Sequence, residues 1–88
     1  MATMRPFVNI NGTAREELVE QRRSLLEAIL DAKAALAKSL PHGRDYIGDP
    51  ARFDHDRGVF NARYTALDDL YNEVLEEALQ IQRQGEEA

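Results

Sequence analysis

The sequence contains no cysteine and no tryptophan, and only three prolines and two histidines among its 88 residues. Without cysteine the chain forms no disulfide and no thiolate metal site, and it has no cysteine nucleophile. No apolar run approaches the roughly 20 residues that a membrane-spanning helix needs. The opening stretch, MATMRPFVNINGT, lacks the apolar segment of a signal peptide. We therefore expect no membrane insertion and no secretion through a signal peptide.

The chain also lacks a basic patch. Its formal net charge is −5. Residues 14–40 carry five acids and five bases, whereas residues 59–88 carry seven acids and two bases. Proteins that bind nucleic acid directly show a basic stripe or face, so we expect no direct binding to nucleic acid or to an anionic membrane. An acidic run of this kind is typical of a solvated helix face.

The first helix is predicted from about residue 14 to residue 40. Asn11-Gly12 favours a turn, and Thr13 with Glu16 has the spacing of a capping box, in which each side chain bonds the other residue's amide. The alanine-rich stretch DAKAALAKSL favours helix. Pro41 then ends the helix because proline cannot continue the hydrogen-bond ladder.

The second helix is predicted from Pro50 to about residue 84, after a loop at 41–49. Asp49 suits the N-cap and Pro50 the first helical position. Gly58 lies inside this helix at a cost of ~1 kcal/mol relative to alanine, and a break near Gly58 is the competing interpretation. Residues 85–88 are expected to be disordered because acids disfavour a helix C-terminus.

Apolar residues in both segments recur at spacings of three, four and seven, which predicts an all-α antiparallel hairpin of two helices. Arg22 interrupts this stripe, and we expect its stem to pack on Tyr64 or Tyr71 while its guanidinium reaches Asp68 or water. The residues predicted to form the hairpin seam are Leu18, Leu25, Ile29, Leu36, Phe60, Tyr64, Leu67, Tyr71 and Val74.

Both apolar arcs are wider than a single neighbouring helix requires, at about 160° for the first helix. A soluble monomer rarely exposes such a strip, so we expect self-association of two hairpins into a four-helix bundle. A complex with another protein would cover the same strip. The predicted self-association seam is Leu26, Leu30, Leu70, Leu75 and Leu79.

The connector PHGRDYIGD carries the remaining candidates. His42, Arg44 and Tyr46 form a candidate partner contact, since exposed tyrosine and arginine often anchor interfaces. The alternative is structural, with Gly43 and Gly48 at positive φ and with Tyr46 and Ile47 folding back on the hairpin end. Asp54, His55 and Asp56 occupy consecutive helical positions and diverge by about 100° per residue. We expect no catalytic residue, no metal site and no cofactor.

Residues 1–12 are predicted to form an extended arm, in which RPFVNI is the apolar part. Two alternatives stay open for this arm. It packs on the helices or pairs with another chain as an added strand, or it frays into solvent.

The segments NINGTAREELVEQRRSLLEAI and LPHGRDYIGD, followed by a second long helix, resemble small helical-hairpin proteins of tailed bacteriophages and prophages. The resemblance covers about residues 9–78 and is most specific in the P-H-G-R-D-Y loop. It implies a phage or prophage product in the bacterial cytoplasm or the virion, and it implies no enzymatic activity.

We therefore expect a non-enzymatic interaction protein that serves as a phage structural or assembly component and binds itself or another protein. The alternative is a small acidic inhibitor that occupies the basic nucleic-acid-binding surface of a host protein. The acids available for that role are Asp68, Asp69, Glu73, Glu76 and Glu77.

Overall fold

The computed structural model describes residues 2–8 and 12–86, with side chains as far as residue 84. Within this part, helix α1 (Arg15–Ala37) and helix α2 (Pro50–Glu86) flank a connector that contains a 3₁₀ helix, Gly43–Tyr46. Positions on α1 rise while the positions they contact on α2 fall, since Arg22 meets Glu77 and Lys33 meets Asp68. The predicted all-α fold, with two helices in antiparallel contact, is therefore confirmed.

The start of α1 differs from the prediction. Ala14 is the N-cap, with extended backbone at φ −62° and ψ 147°, and the described residues supply no side-chain cap for it. The carboxylate of Glu16 accepts a hydrogen bond from Arg15 at 3.3 Å instead of reaching back to Thr13. The predicted capping box is therefore wrong. Asn11, the first residue of the predicted turn, lies outside the described residues.

The end of α1 comes three residues before the predicted one. From Ala37 the chain tightens into a terminal turn, in which the amides of Ser39 and Leu40 bond carbonyls three residues back, at 2.8 and 3.3 Å. The Ser39 hydroxyl also donates to the Leu36 carbonyl at 2.7 Å. Such tight turns are common at helix C-termini because they satisfy carbonyls that the helix leaves unpaired.

Helix α2 begins at Pro50, as its sequence predicted. The carboxylate of Asp49 accepts a hydrogen bond from the Arg52 amide at 3.1 Å, which makes Asp49 a side-chain N-cap. The helix passes through Gly58 without a break and continues to Glu86. The tail predicted at 85–88 therefore begins inside the helix, and residues 87 and 88 lie outside the described part.

These two helix starts yield a prediction about stability. We expect Asp49→Ala to lower the free energy of unfolding by about 1 kcal/mol because it removes the side-chain partner of the Arg52 amide. Asp49→Asn should retain most of the stability. Thr13→Ala, at a position without a capping bond, should change stability by less than about 0.5 kcal/mol. Urea denaturation followed by circular dichroism measures all three, and equal losses for Asp49→Ala and Thr13→Ala would contradict this account of the caps.

The core lies in the half of the hairpin farther from the connector. Its buried hydrophobic side chains, among the described residues, are Leu18, Ile29, Val74, Ala78 and Ile81. The molecule measures 63 × 20 × 18 Å, and its radius of gyration is 18.7 Å, whereas a compact domain of this length has about 12 Å. The hairpin is therefore a rod with a thin core.

The predicted hairpin seam separates into three groups in the structure. Leu18, Ile29 and Val74 are buried between the helices, whereas Leu36, Phe60, Leu67 and Tyr71 are half-buried. Leu25 and Tyr64 are exposed. Both lie at the edge of the contact between the helices, where Lys33 Nζ of α1 still lies 4.9 Å from the centre of the Tyr64 ring.

Candidate interaction surfaces

An ordered arm, residues 2–8, lies along α2 and runs in the same direction as that helix. The Ala2 amide donates to Glu73 Oε1 at 3.3 Å, and the Met4 amide donates to Glu77 Oε1. Farther along, Gln84 closes a pair of bonds: its Oε1 accepts from the Val8 amide at 2.9 Å, and its Nε2 donates to the Pro6 carbonyl at 2.8 Å. Of the two alternatives for the arm, the structure favours the ordered one for these residues. Residues 9–11 lie outside the described part.

An ion pair joins the arm, α1 and α2 at one point. Arg22 Nε lies 2.8 Å from Glu77 Oε2, and the two side chains are only 12% and 10% exposed. Arg22 also donates to the Leu18 carbonyl at 3.4 Å. Glu77 thus uses one carboxylate oxygen for α1 and the other for the arm, which explains how a charged side chain is accommodated within the core.

The predicted environment of Arg22 is therefore wrong. Equal distance from the connector at 41–49 would place Arg22 opposite Asp68, since each lies 19 residues from it. The connector instead packs on the first turns of α2, where Tyr46 contacts Phe53 and Asp56. Helix α1 therefore pairs with a later stretch of α2, and Arg22 lies beside Glu77.

Glu77 had a signal in the sequence that went unused. It lies three residues after Val74 and four before Ile81, so it is an acid within the apolar stripe, just as Arg22 is a base within the stripe of α1.

Lys33 occupies the place that was predicted for Arg22. Its Nζ donates to Asp68 Oδ1 at 2.9 Å and lies 4.9 Å from the centre of the Tyr64 ring. The hydrogen bond to Asp68 is the main cause that raises the pKa of Lys33. This contact fastens the connector-proximal half of the hairpin, where few side chains are buried.

Internal contacts engage much of the acidic run on α2. Asp68 bonds Lys33, Glu73 bonds the arm, and Glu77 bonds both the arm and Arg22. The other two acids of the group, Asp69 and Glu76, are exposed. The acids therefore hold the fold together more than the sequence indicated.

An apolar groove of about 300 Å³ opens beside the arm. Its apolar walls are Met4, Leu25, Leu70 and Val74, and we call it the arm groove. Leu70 was predicted to share one seam with Leu75 and Leu79. At 100° per residue those two side chains lie about 140° and 180° around α2 from Leu70.

The remaining leucines of the predicted seam form a separate surface, the leucine face, which consists of Leu26, Leu30, Leu75 and Leu79. Leu30, Leu75 and Leu79 are exposed, and Leu26 is half-buried. The predicted five-leucine seam is thus divided between two sides of the hairpin. The arm groove lies on one side and the leucine face on the other.

Tyr46 is held inside the hairpin end and does not project as a free contact. Its hydroxyl donates to Asp56 at 2.7 Å, and its ring centre lies 5.3 Å from that of Phe53. The bond lowers the pKa of Asp56 and raises that of Tyr46. Ile47, which was expected to fold back beside Tyr46, is almost fully exposed.

The other two members of the predicted contact, His42 and Arg44, are exposed at the same end. The His42 ring accepts a hydrogen bond from the Arg44 amide at 3.1 Å and caps the 3₁₀ helix. Gly48 has a φ of 86°, as predicted, whereas Gly43 begins the 3₁₀ helix instead of adopting a positive φ. The geometry favours the structural interpretation for Tyr46.

The described residues contain no group of three or more His, Asp or Glu side chains placed to hold a metal ion. Within the same part of the chain, neither helix combines the length and the apolar character needed to cross a membrane. The polar clusters are ion pairs, caps and arm contacts, each with an identified structural role. Comparisons with protein-family models, with curated proteins and with solved structures find no match to this chain.

Proposed function

We propose that this chain is a non-enzymatic interaction protein that self-associates through the leucine face, two hairpins forming a four-helix bundle. The observation that carries the proposal is the exposure of Leu30, Leu75 and Leu79 on one side of a hairpin whose core is thin. Packing two such faces together would bury side chains that a soluble monomer rarely exposes as a strip.

The large accessible surface area of the chain supports an interface with a neighbouring molecule. The chain exposes 6646 Å², whereas a compact monomer of this mass exposes about 5,200 Å². The excess is about 1,400 Å², and each partner in a specific interface of standard size buries about 800 Å². One interface of ordinary size on each hairpin would remove more than half of this excess.

The biological setting that we propose is a bacteriophage or prophage, either in the host cytoplasm or in the virion, as a structural or assembly component. The resemblance of the helix start and of the P-H-G-R-D-Y loop to phage and prophage hairpin proteins supports this setting. A self-associating rod suits such a role because it presents long faces to neighbouring subunits. Mass spectrometry of purified virions, and affinity purification from infected cells, test this setting.

The second candidate, an acidic inhibitor of a nucleic-acid-binding protein, has weaker support. It needs a block of acids available to a basic partner. Asp68, Glu73 and Glu77 are already bonded within the chain, which leaves Asp69 and Glu76 with side chains directed to solvent. The self-association proposal requires no rearrangement of these bonds.

Light scattering on the purified protein tests self-association directly. We expect a particle of twice the chain mass of 10.0 kDa at micromolar concentration, with the helical circular dichroism spectrum of the folded hairpin. A folded species with the mass of a single chain at that concentration would refute the dimer.

A further inference from the structure

The arm contacts on α2 follow a regular row of side chains, which we call the acceptor row: Glu73, Glu77, Gln80 and Gln84. Amides at alternate arm positions face the row, at Ala2, Met4 and Val8. Two residues of extended chain advance about 6.6 Å, and four residues of α-helix advance about 6 Å. Alternate amides of an extended backbone therefore stay aligned with the side chains of the acceptor row over several turns of α2.

The contacts in this row are made to main-chain groups of the arm. Side chains of α2 bond the amides at three positions and the carbonyl of Pro6. Main-chain groups are common to every peptide, so the row recognises extended backbone rather than the particular side chains of the arm. This is the kind of recognition that strand-adding peptide sites use.

The row has one gap, at Gln80. Its Oε1 atom is buried and has no hydrogen-bond partner among the described residues. Gln80 lies beside Arg5, Pro6 and Phe7, and position 6 is the next alternate position, after Ala2 and Met4, whose amide would face α2. Proline has no amide hydrogen. Position 6 of the arm therefore offers no hydrogen-bond donor to Gln80 Oε1. A buried acceptor without a partner is unfavourable.

The arm also fits its surroundings poorly through its side chains. Met4 is 69% exposed and Phe7 is 89% exposed. The arm groove remains open beside them, between Leu25 and Leu70. Pro6 and Val8 are half-buried in the docked arm, whereas its two largest apolar side chains stay mostly in solvent, so polar contacts supply much of what holds the arm in place. A segment with better-placed apolar side chains gains binding energy that the arm does not.

We propose that the acceptor row and the arm groove form a docking site for an extended segment of another protein, and that the arm occupies this site until such a segment displaces it. The segment carries an amide hydrogen opposite Gln80, where the arm has Pro6. It also carries an aliphatic side chain that fills the space between Leu25 and Leu70. The site is independent of the proposed self-association, which uses the leucine face on the other side of the hairpin.

The test uses the full-length chain with Met4→Pro and Val8→Pro, which removes two arm donors and frees the row. Two synthetic heptapeptides serve as probes: the natural sequence of residues 2–8, ATMRPFV, and its Pro6→Ala counterpart, ATMRAFV. NMR titration follows the side-chain amides of Gln80 and Gln84. We expect both peptides to shift these signals and ATMRAFV to bind about threefold to tenfold more tightly, the gain from one further hydrogen bond.

Gln80→Leu in the same background is the matched control, because it keeps the shape of the row and removes the unpaired acceptor. The advantage of ATMRAFV should disappear in that variant. In the otherwise natural chain, Pro6→Ala should slow hydrogen exchange at the Met4 and Val8 amides by a similar factor, and Gln80→Leu should abolish that slowing.

Two results would overturn the proposal. If neither peptide perturbs Gln80 or Gln84 at millimolar concentration, the row does not bind segments in trans. If ATMRPFV binds as tightly as ATMRAFV, the site is adapted to the arm itself, and the occupant in trans is the arm of a second copy. Light scattering on the double-proline variant reports self-association separately, so a failure here is distinguishable from a failure of the proposed dimer.

Discussion

Glu77→Gln is expected to destabilise the folded chain by about 3 kcal/mol or more, the usual cost of removing one partner of a buried ion pair. Glu76→Gln, at the neighbouring exposed position, is expected to cost less than about 0.5 kcal/mol. The difference arises because Glu77 and Arg22 are nearly enclosed and lie 2.8 Å apart. Glutamine keeps the shape of the side chain but leaves the Arg22 guanidinium charged, buried and without its counter-ion.

The effect is large for a chain of this size, since small domains are stable by only about 5–15 kcal/mol. Urea denaturation at one fixed protein concentration, followed by circular dichroism, gives the free energies. Arg22→Ala should behave like Glu77→Gln. Arg23→Ala should have little effect, because the ion pair that Arg23 forms with Glu20 is long, at 3.7 Å, and both side chains are exposed.

A double substitution separates the cost of an isolated charge from the worth of the pair. Arg22→Leu together with Glu77→Leu removes both charges, and apolar replacements of buried ion pairs are often neutral or stabilising. We expect the double variant to be more stable than either single one, although it loses the arm contact at Glu77 Oε1. Equal losses for Glu76→Gln and Glu77→Gln would show that the pair is not buried between the helices.

The hairpin itself was predictable because its signals are local and repeated. Apolar residues at three- and four-residue spacing mark two helical stripes, and Asp49-Pro50 marks the start of α2 through its own side chain and ring. Thr13 carried an equally clear local signal that the structure does not use. A capping motif indicates that a side chain can form a hydrogen bond to the first turn of a helix. Whether the bond forms depends on the path of the chain into that helix.

The site was less predictable because its contacts join residues far apart in the chain. Glu73, Glu77 and Gln84 look like ordinary polar positions of a solvated helix, and no periodicity connects them with the arm more than 70 residues away. The partner of Arg22 depended on the register of the hairpin. That register depends on how the connector packs on the first turns of α2. The prediction missed it by about 2.5 helical turns, the distance from Asp68 to Glu77.

The division of the apolar residues between two sides of the hairpin also escaped the sequence pattern. Heptad spacing identifies which positions are apolar, but a broad arc does not say where one neighbour ends and another begins. Leu70 and Leu75 both border the buried stripe around Val74, yet on opposite sides of it. Helix geometry separates the two by about 140°, and the arm identifies the side of Leu70 as a groove of its own.

Leu30→Glu is expected to convert the proposed dimer into folded single chains, whereas Leu70→Glu is expected to leave it intact. The two leucines are a matched pair, 48% and 40% exposed in one hairpin, so neither substitution buries a charge in the isolated chain. A carboxylate at Leu30 would be buried in the leucine face of the bundle without a partner, at a cost of several kcal/mol. That cost raises the dissociation constant by at least about 100-fold.

Light scattering and circular dichroism on both variants, at the concentration used for the natural chain, decide between two geometries. Loss of the dimer in both variants would mean that Leu30 and Leu70 share one seam, as the sequence pattern first predicted, and that the arm groove belongs to the interface. Retention of the dimer in both would exclude the leucine face. Dissociation by Leu30→Glu alone assigns the interface to the leucine face, and it leaves the arm groove accessible in the assembled protein because the two surfaces lie on opposite sides of each hairpin.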